Sequence, residues 1–244
     1  MKVFFLIIII LQMGIVSAQQ GKVEYISKYS FDAQIENSST LYFDQTSSIF
    51  IKYHTKQKNE HEKENLSNNT PILITPEESE GFLYHRNYAS EVMTLKESFH
   101  RDEMIVKDSI PSIRWNILNE TKKIGSLNCQ KAEGTFRGRT YQVWFTLDIP
   151  VNAGPWKLFG LPGLIIEAQD TKEEVKFIFK SLEYPTTEKI EIKAPVKGSE
   201  MSFANYKYYK ENLDKYILKK MRTKLPRGAS IKFENKDKNL LEKF

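Results

Sequence analysis

Trp144-Phe-Thr-Leu-Asp-Ile-Pro150, Val151-Asn-Ala-Gly-Pro-Trp156 and Lys157-Leu-Phe-Gly-Leu-Pro-Gly-Leu-Ile165 form one continuous stretch whose reading decides the fold. It runs strand, constrained turn, strand. The chain has 11 Gly and 9 Pro, and six of them lie between Pro150 and Gly163. Glycine reaches backbone angles that other residues avoid, and proline fixes its own, so this density inside an apolar connection specifies a particular loop shape. On the strand before the loop, Tyr141, Val143, Phe145, Leu147 and Ile149 share one face, and Gln142, Trp144, Thr146 and Asp148 share the other. That is the period of a half-buried strand. Leu161-Pro-Gly-Leu164 suits a type II turn, with Gly163 where positive φ is required.

Strand patterns extend outward in both directions. Val23, Tyr25, Tyr29 and Phe31 alternate with polar residues, and Ser39 to Phe43 and Ser48 to Tyr53 continue the pattern around a turn at Asp44 to Ser47. Strands are also expected at Gly81–Tyr84, Glu91–Phe99 and Met104–Val106, while Ser112–Leu118 fits either a strand end or a helical turn. Ile124–Cys129, Lys131–Phe136 and Arg139–Asp148 read as a meander with Arg137-Gly138-Arg139 at a hairpin tip, and Leu164–Ala168 and Glu174–Lys180 read as the next hairpin, turning through residues 169–172. Residues 54–76, rich in Lys, Glu, Asn and Gln, read as a long polar, flexible loop. From Phe203 to Met221 the period becomes helical, with Ser202 as N-cap and Pro226 and Gly228 past the end. No repeat or Gly/Ser-rich linker divides the chain. The expectation is one mainly β (α+β) domain over residues 19–244, a curved antiparallel sheet or half-barrel with a C-terminal amphipathic helix packed on it.

Residues 1–18 have the pattern of a secretory signal peptide: Lys2, an apolar run from Val3 to Leu11, and Val16-Ser-Ala18 as the cleavage site. Its removal implies an exported protein, periplasmic or secreted, with no integral membrane anchor. The formal net charge is +5, and Lys2 accounts for one of the positive charges. Lys56–Lys63 and Lys232–Lys243 mix both signs, which favours solvated surface over nucleic-acid binding. The one cysteine, Cys129, rules out an internal disulfide and reads as a small buried residue.

Familiar catalytic signatures are missing from the sequence. His61-Glu-Lys-Glu-Asn65 begins like a zinc-protease helix but has Asn65 where the second histidine is needed. The remaining histidines, His54, His85 and His100, are scattered. No metal ligands, cofactor site or catalytic residues are assigned. A hydrolase site assembled from distant residues stays open as the alternative to a binding role. The central loop itself has two readings. It is either a rigid plug at a sheet end, or an apolar docking surface built from Trp144, Trp156, Leu158, Phe159, Leu161 and Pro162, with Asp148 as an acceptor for loop amides.

Cys129-Gln-Lys-Ala132, Tyr141-Gln-Val-Trp-Phe-Thr146, Asp148-Ile-Pro150, Gly154-Pro-Trp156 and Gly160-Leu-Pro-Gly-Leu-Ile165 resemble the GLPGLI family. The match is ordered from Trp115 to Ala168. Near the end the chain has Asn239-Leu-Leu-Glu242 where the family pattern has Asn-Pro-hydrophobic-Glu. The resemblance implies an exported cell-envelope protein and supplies no catalytic residues. A strand-rich chain with one long helix is also similar, in architecture alone, to lipoprotein-carrier half-barrels. Together these readings point to an exported binding or assembly factor whose partner is a lipid, a peptide or an outer-membrane protein.

Overall fold

The structure is a computed structural model and describes residues 19–31, 34–53, 81–99, 102–188, 191–212, 215 and 241–242. Residues 1–18, expected to be a signal peptide, and residues 54–76, expected to be a polar loop, lie outside the described residues. Six strands form the first half: β1 (Gly21–Ser30), β2 (Gln34–Phe43), β3 (Ser47–Tyr53), β4 (Gly81–Asn87), β5 (Val92–Phe99) and β6 (Asp102–Ser109). Five more follow: β7 (Trp115–Ile124), β8 (Leu127–Phe136), β9 (Arg139–Thr146), β10 (Leu164–Asp170) and β11 (Val175–Glu183). Short β12 (Ser199–Met201) leads into helix α1 (Phe203–Glu211).

All twelve strands belong to one sheet, in the order β12-β6-β5-β4-β3-β2-β1-β11-β10-β9-β8-β7. The sheet is not closed, and β12 and β7 are its ends. Strand β1 joins its two halves, pairing antiparallel with β2 on one side and β11 on the other. Among the described residues, the one parallel pairing is β12 with β6. The expected mainly β architecture, with a C-terminal helix packed on the sheet, is the observed one.

Alternation explains which side chains are inside. Val23, Tyr25 and Tyr29 of β1 are buried on the same face as Leu41 and Phe43 of β2, with which β1 is in register. Tyr141, Val143 and Phe145 of β9 join the same core. The intervening residues of β2 to β4, Tyr42, Ile49, Ile51 and Leu83, form a smaller cluster, with Ile192 packed against it.

Turn chemistry agrees with the sequence at two corners. Asp44 Oδ1 accepts from the amides of Thr46 and Ser47 at 2.7 and 2.8 Å, closing the β2–β3 turn. Arg137 and Gly138 have φ of 48° and 71° between the paired residues Phe136 and Arg139, the two positive φ angles of a type I′ hairpin.

Three expectations are sharpened. Residues 115–118 are strand, settling the choice left open there, and β8 runs unbroken from Leu127 to Phe136 instead of as two pieces. The β10–β11 turn falls at residues 171–174, slightly later than expected. Helix α1 has Ser202 as N-cap, as expected, its hydroxyl accepting from Asn205 N at 3.2 Å, and is described over Phe203–Glu211 with Asn212 as C-cap. Of residues 212–221, expected to continue it, Asn212 and Lys215 are described, Lys215 in helical conformation, and the rest of that expectation lies outside the described residues.

Candidate functional site

The connection from β9 to β10 folds back across the core face of the sheet. Its own backbone builds it: Val151 N donates to Ile149 O, Ala153 N to Val151 O, Leu158 N to Pro155 O, and Ile165 N to Ala153 O, all at 2.9–3.1 Å. Distant elements then hold it. The Trp115 indole of β7 donates to Phe159 O at 2.7 Å, and Arg86 of β4 donates to Asn152 O at 2.7 Å. The Asn152 side chain in turn accepts from Gly160 N at 2.6 Å.

The backbone strain of the loop lies elsewhere than the turn pattern suggested. Positive φ occurs at Trp156 (56°) and Gly160 (99°), and Gly163 is not among the left-handed residues. The type II assignment for Leu161–Leu164 is therefore corrected. Gly163 is required by close approach instead: a Cβ there would lie 2.0 Å from Thr146 O of β9. The glycine lets strand β10 start directly against β9.

The seven residues singled out by sequence do not share one surface. Trp156, Leu158 and Leu161 are buried. The Trp156 ring packs edge-on against Phe136 at 5.7 Å and tilted against Tyr141 at 6.3 Å. Trp144 lies half-buried on the opposite face of β9, with Lys122 Nζ 4.5 Å over its ring. Asp148 is exposed and accepts from the Asn128 amide at 3.1 Å, at the start of β8 and not within the loop. Pro162 is exposed and Phe159 half-buried.

Charge in the interior is the feature that sequence reading missed. Lys157, set among Trp156, Leu158 and Phe159, is 0 % exposed and pairs with Asp108 of β6, also 0 % exposed, at 2.8 Å. Arg137 reaches the other Asp108 oxygen at 2.7 Å. Glu242, near the C-terminus, also pairs with Lys157 and is raised in pKa by burial, an effect that Lys157 partly offsets. Beside this cluster, Arg139 is held by Asp170 and Glu174, each at 2.6 Å, and donates to Leu241 O at 3.2 Å. Two cations thus draw Leu241 and Glu242 onto the core face.

A second polar group centres on Glu97 of β5. It accepts from Tyr84 at 3.2 Å and from Tyr206 of α1 at 2.9 Å, and pairs with Lys210 at 2.7 Å. Burial alone would raise its pKa, but Lys210, Lys52 and Tyr206 outweigh burial and hold it below the ordinary value. Burial pulls the neighbouring Lys52 down to about 8, against the opposing pull of Glu97. A faint signal for this group existed in the sequence. Glu97 stands at the inward position two residues beyond buried Leu95, where the strand period calls for an apolar side chain.

A cleft of about 380 Å³ opens where Phe159 meets the ends of β4, β5 and β6. Its walls include Arg86, Val92, Met93, Ile110, Pro111 and Phe159. The Arg86 guanidinium lies 3.7 Å from the Phe159 ring centre and 5.1 Å from that of Tyr88, so two aromatic rings flank it. Burial lowers its pKa, with partial opposition from Tyr88. No carboxylate pairs with Arg86 among the described residues.

His85 of β4 has its pKa lowered by burial, opposed by Asp44 and by the backbone of Ile192. His54 and His100 lie outside the described residues. Among the described residues, no group of three or more His, Cys, Asp or Glu side chains is placed to hold a metal, and no helix is long and apolar enough to cross a membrane. Cys129 is free and buried, with its thiol pKa pushed up to about 11 by desolvation.

A family model described as a protein of unknown function (Porph_ging) matches residues 136–167. The match spans the hairpin tip, β9, the loop and the first half of β10. Among solved structures, PNGF-II in the C2 and P21 space groups is similar, with TM-scores of 0.52 and 0.55 and 16% identity. These alignments cover 78% of this chain but 32% and 33% of PNGF-II, so the chain spans about a third of that protein's length. At 16% identity the likeness is one of fold. An uncharacterized conserved protein from Thermus thermophilus aligns at 8% identity and a TM-score of 0.40, over 76% of this chain and 91% of its own. Comparison with curated proteins finds no match.

Proposed function

We propose that this chain is an exported binding or assembly factor of the cell envelope, of the GLPGLI type, acting in the periplasm or beyond it. Its partner in this reading is a lipid, a peptide or an outer-membrane protein. The observation that carries the reading is the cleft of about 380 Å³ beside the β9–β10 loop, walled by Phe159, Val92, Met93, Ile110 and Pro111. Clefts of this size are the usual form of a small-molecule or side-chain site, and Arg86, Ser90, Glu91 and Ser112 set polar groups opposite the apolar wall of this one. Trp156 and Leu158 support the reading indirectly. They anchor the loop from below, and that anchoring presents Phe159 at the lip.

The test is affinity capture from the native envelope, followed by mass spectrometry of lipids and proteins, for the wild type and Phe159→Ala. A specific lipid or protein enriched by the wild type and lost in the variant supports the role. Equal recovery by both, or no enriched species with the wild type, counts against it.

A further inference from the structure

We infer that the cleft beside Phe159 takes an amphiphile with a single carboxylate, an acyl-chain acid whose carboxylate is received by Arg86. This rests on the binding reading above and narrows its ligand class.

Three observations converge on it. The first is an uncompensated charge: Arg86 is 7 % exposed, and its polar contact among the described residues is one donation from NH1 to Asn152 O. A buried guanidinium is ordinarily paired, because taking it from water is costly. Buried Lys157, Arg137, Arg139 and Lys96 follow that rule with carboxylate partners, while Lys52 sits over the Tyr29 and Phe82 rings near Glu97. Arg86 stands apart from them, and it lines an open cleft.

The second observation is orientation. Phe159 and Tyr88 flank the guanidinium, and Asn152 O takes one of its donors. Such a group is fixed before any ligand arrives, and its free donors match the two oxygens of a carboxylate.

The third is the character of the walls. Val92, Met93, Ile110, Pro111 and Phe159 suit an aliphatic body. Polar groups are gathered on the other side of the cleft, where Ser90 accepts from Val92 N at 3.1 Å beside Glu91 and Ser112. Glu91 also lines the cleft, and its charge opposes any anion there, a phosphate dianion about twice as strongly as a carboxylate.

Calorimetric titration with sodium octanoate, 1-octanol and octyl phosphate tests the assignment on the wild type, Arg86→Met, Arg86→Lys and Phe159→Ala. Thermal melts of each variant establish that it is folded. The expected result is octanoate binding at least about 30-fold tighter than either 1-octanol or octyl phosphate. Arg86→Met should erase that preference, and Arg86→Lys should reduce it by roughly tenfold, because the planar fork is lost. Phe159→Ala should weaken both octanoate and 1-octanol. Equal affinity for octanoate and 1-octanol in the wild type overturns the carboxylate assignment but leaves an apolar binding cleft standing. Tighter binding of octyl phosphate overturns it in favour of a phosphate ligand. If no probe binds while envelope capture still depends on Phe159, the acyl ligand alone is refuted; if capture is also blank, the binding role falls with it.

Discussion

Lys157 and Asp108, 49 residues apart in sequence, form an ion pair of 2.8 Å in which neither side chain reaches solvent. The pair fastens the β9–β10 loop to β6, an edge-side strand on the far half of the sheet. Arg137 shares Asp108, and Glu242 shares Lys157, so two cations and two carboxylates balance in one enclosed place. Removing one member leaves the remainder uncompensated.

Lys157→Met is therefore expected to lower the unfolding free energy by about 3–5 kcal/mol, the usual cost of orphaning one partner of a buried pair. Adding Asp108→Leu to it should recover part of the loss, since the stranded carboxylate goes too. Urea denaturation measures both. A single-variant loss below about 1 kcal/mol would show that the loop is not held through this pair.

Trp156 combines a buried ring with φ of 56°. Truncation to Ala should cost about 3–5 kcal/mol for the lost packing against Phe136 and Tyr141. Trp156→Gly loses the same ring but accepts the left-handed backbone freely, so it should be the more stable of the two variants by up to about 1 kcal/mol. Elsewhere in ordered structure glycine is usually the worse replacement. Finding Ala the more stable variant here would contradict the strained conformation.

Gly163 offers a sharper contrast. Were it a left-handed turn residue, Asn would serve nearly as well as Gly. Because a Cβ there would meet Thr146 O at 2.0 Å, Asn and Ala should both be strongly destabilising, by more than about 2 kcal/mol. Thermal melts of Gly163→Ala and Gly163→Asn decide the matter. A well-tolerated Asn variant would restore the turn explanation.

Glu97 sets an acid limb of stability. Its pKa is held below the ordinary 4.5, where it stands in the unfolded chain. Near and below that value the unfolded chain binds more protons than the folded one, so stability falls with falling pH. The contribution is fully present above the unfolded value and is lost as pH drops through the folded one. Glu242 acts in the opposite sense, because burial raises its carboxyl. Denaturation midpoints from about pH 7 to about pH 3 should thus fall less steeply for Glu97→Gln than for the wild type. Parallel slopes would remove Glu97 from the account.

Much of the architecture was legible because it depends on local rules. Period-two alternation marked β1 and β9, the paired positive φ angles sit at Arg137-Gly138 where the hairpin tip was expected, and Ser202 caps the helix. The candidate site was much less legible. Phe159 could be picked out as an apolar loop residue, but its partner Arg86 lies 73 residues earlier on β4 and carries no local mark of being unpaired. Trp144 and Trp156 looked like one aromatic pair and stand on opposite faces, because the loop turns Trp156 back toward Phe136 and Tyr141.

The sequence alone determined that the chain is mostly strand, that one Gly- and Pro-dense connection is conformationally fixed, and that a capped helix follows. Each of these depends on steric and hydrogen-bonding preferences spanning a few residues. Only the tertiary structure decided where the charges go. Register places Asp108 of β6 under Lys157, positions Arg86 beneath Phe159, and brings Glu242 to Lys157. Whether a buried charge is compensated depends on which distant strands become neighbours, and no short-range pattern encodes that.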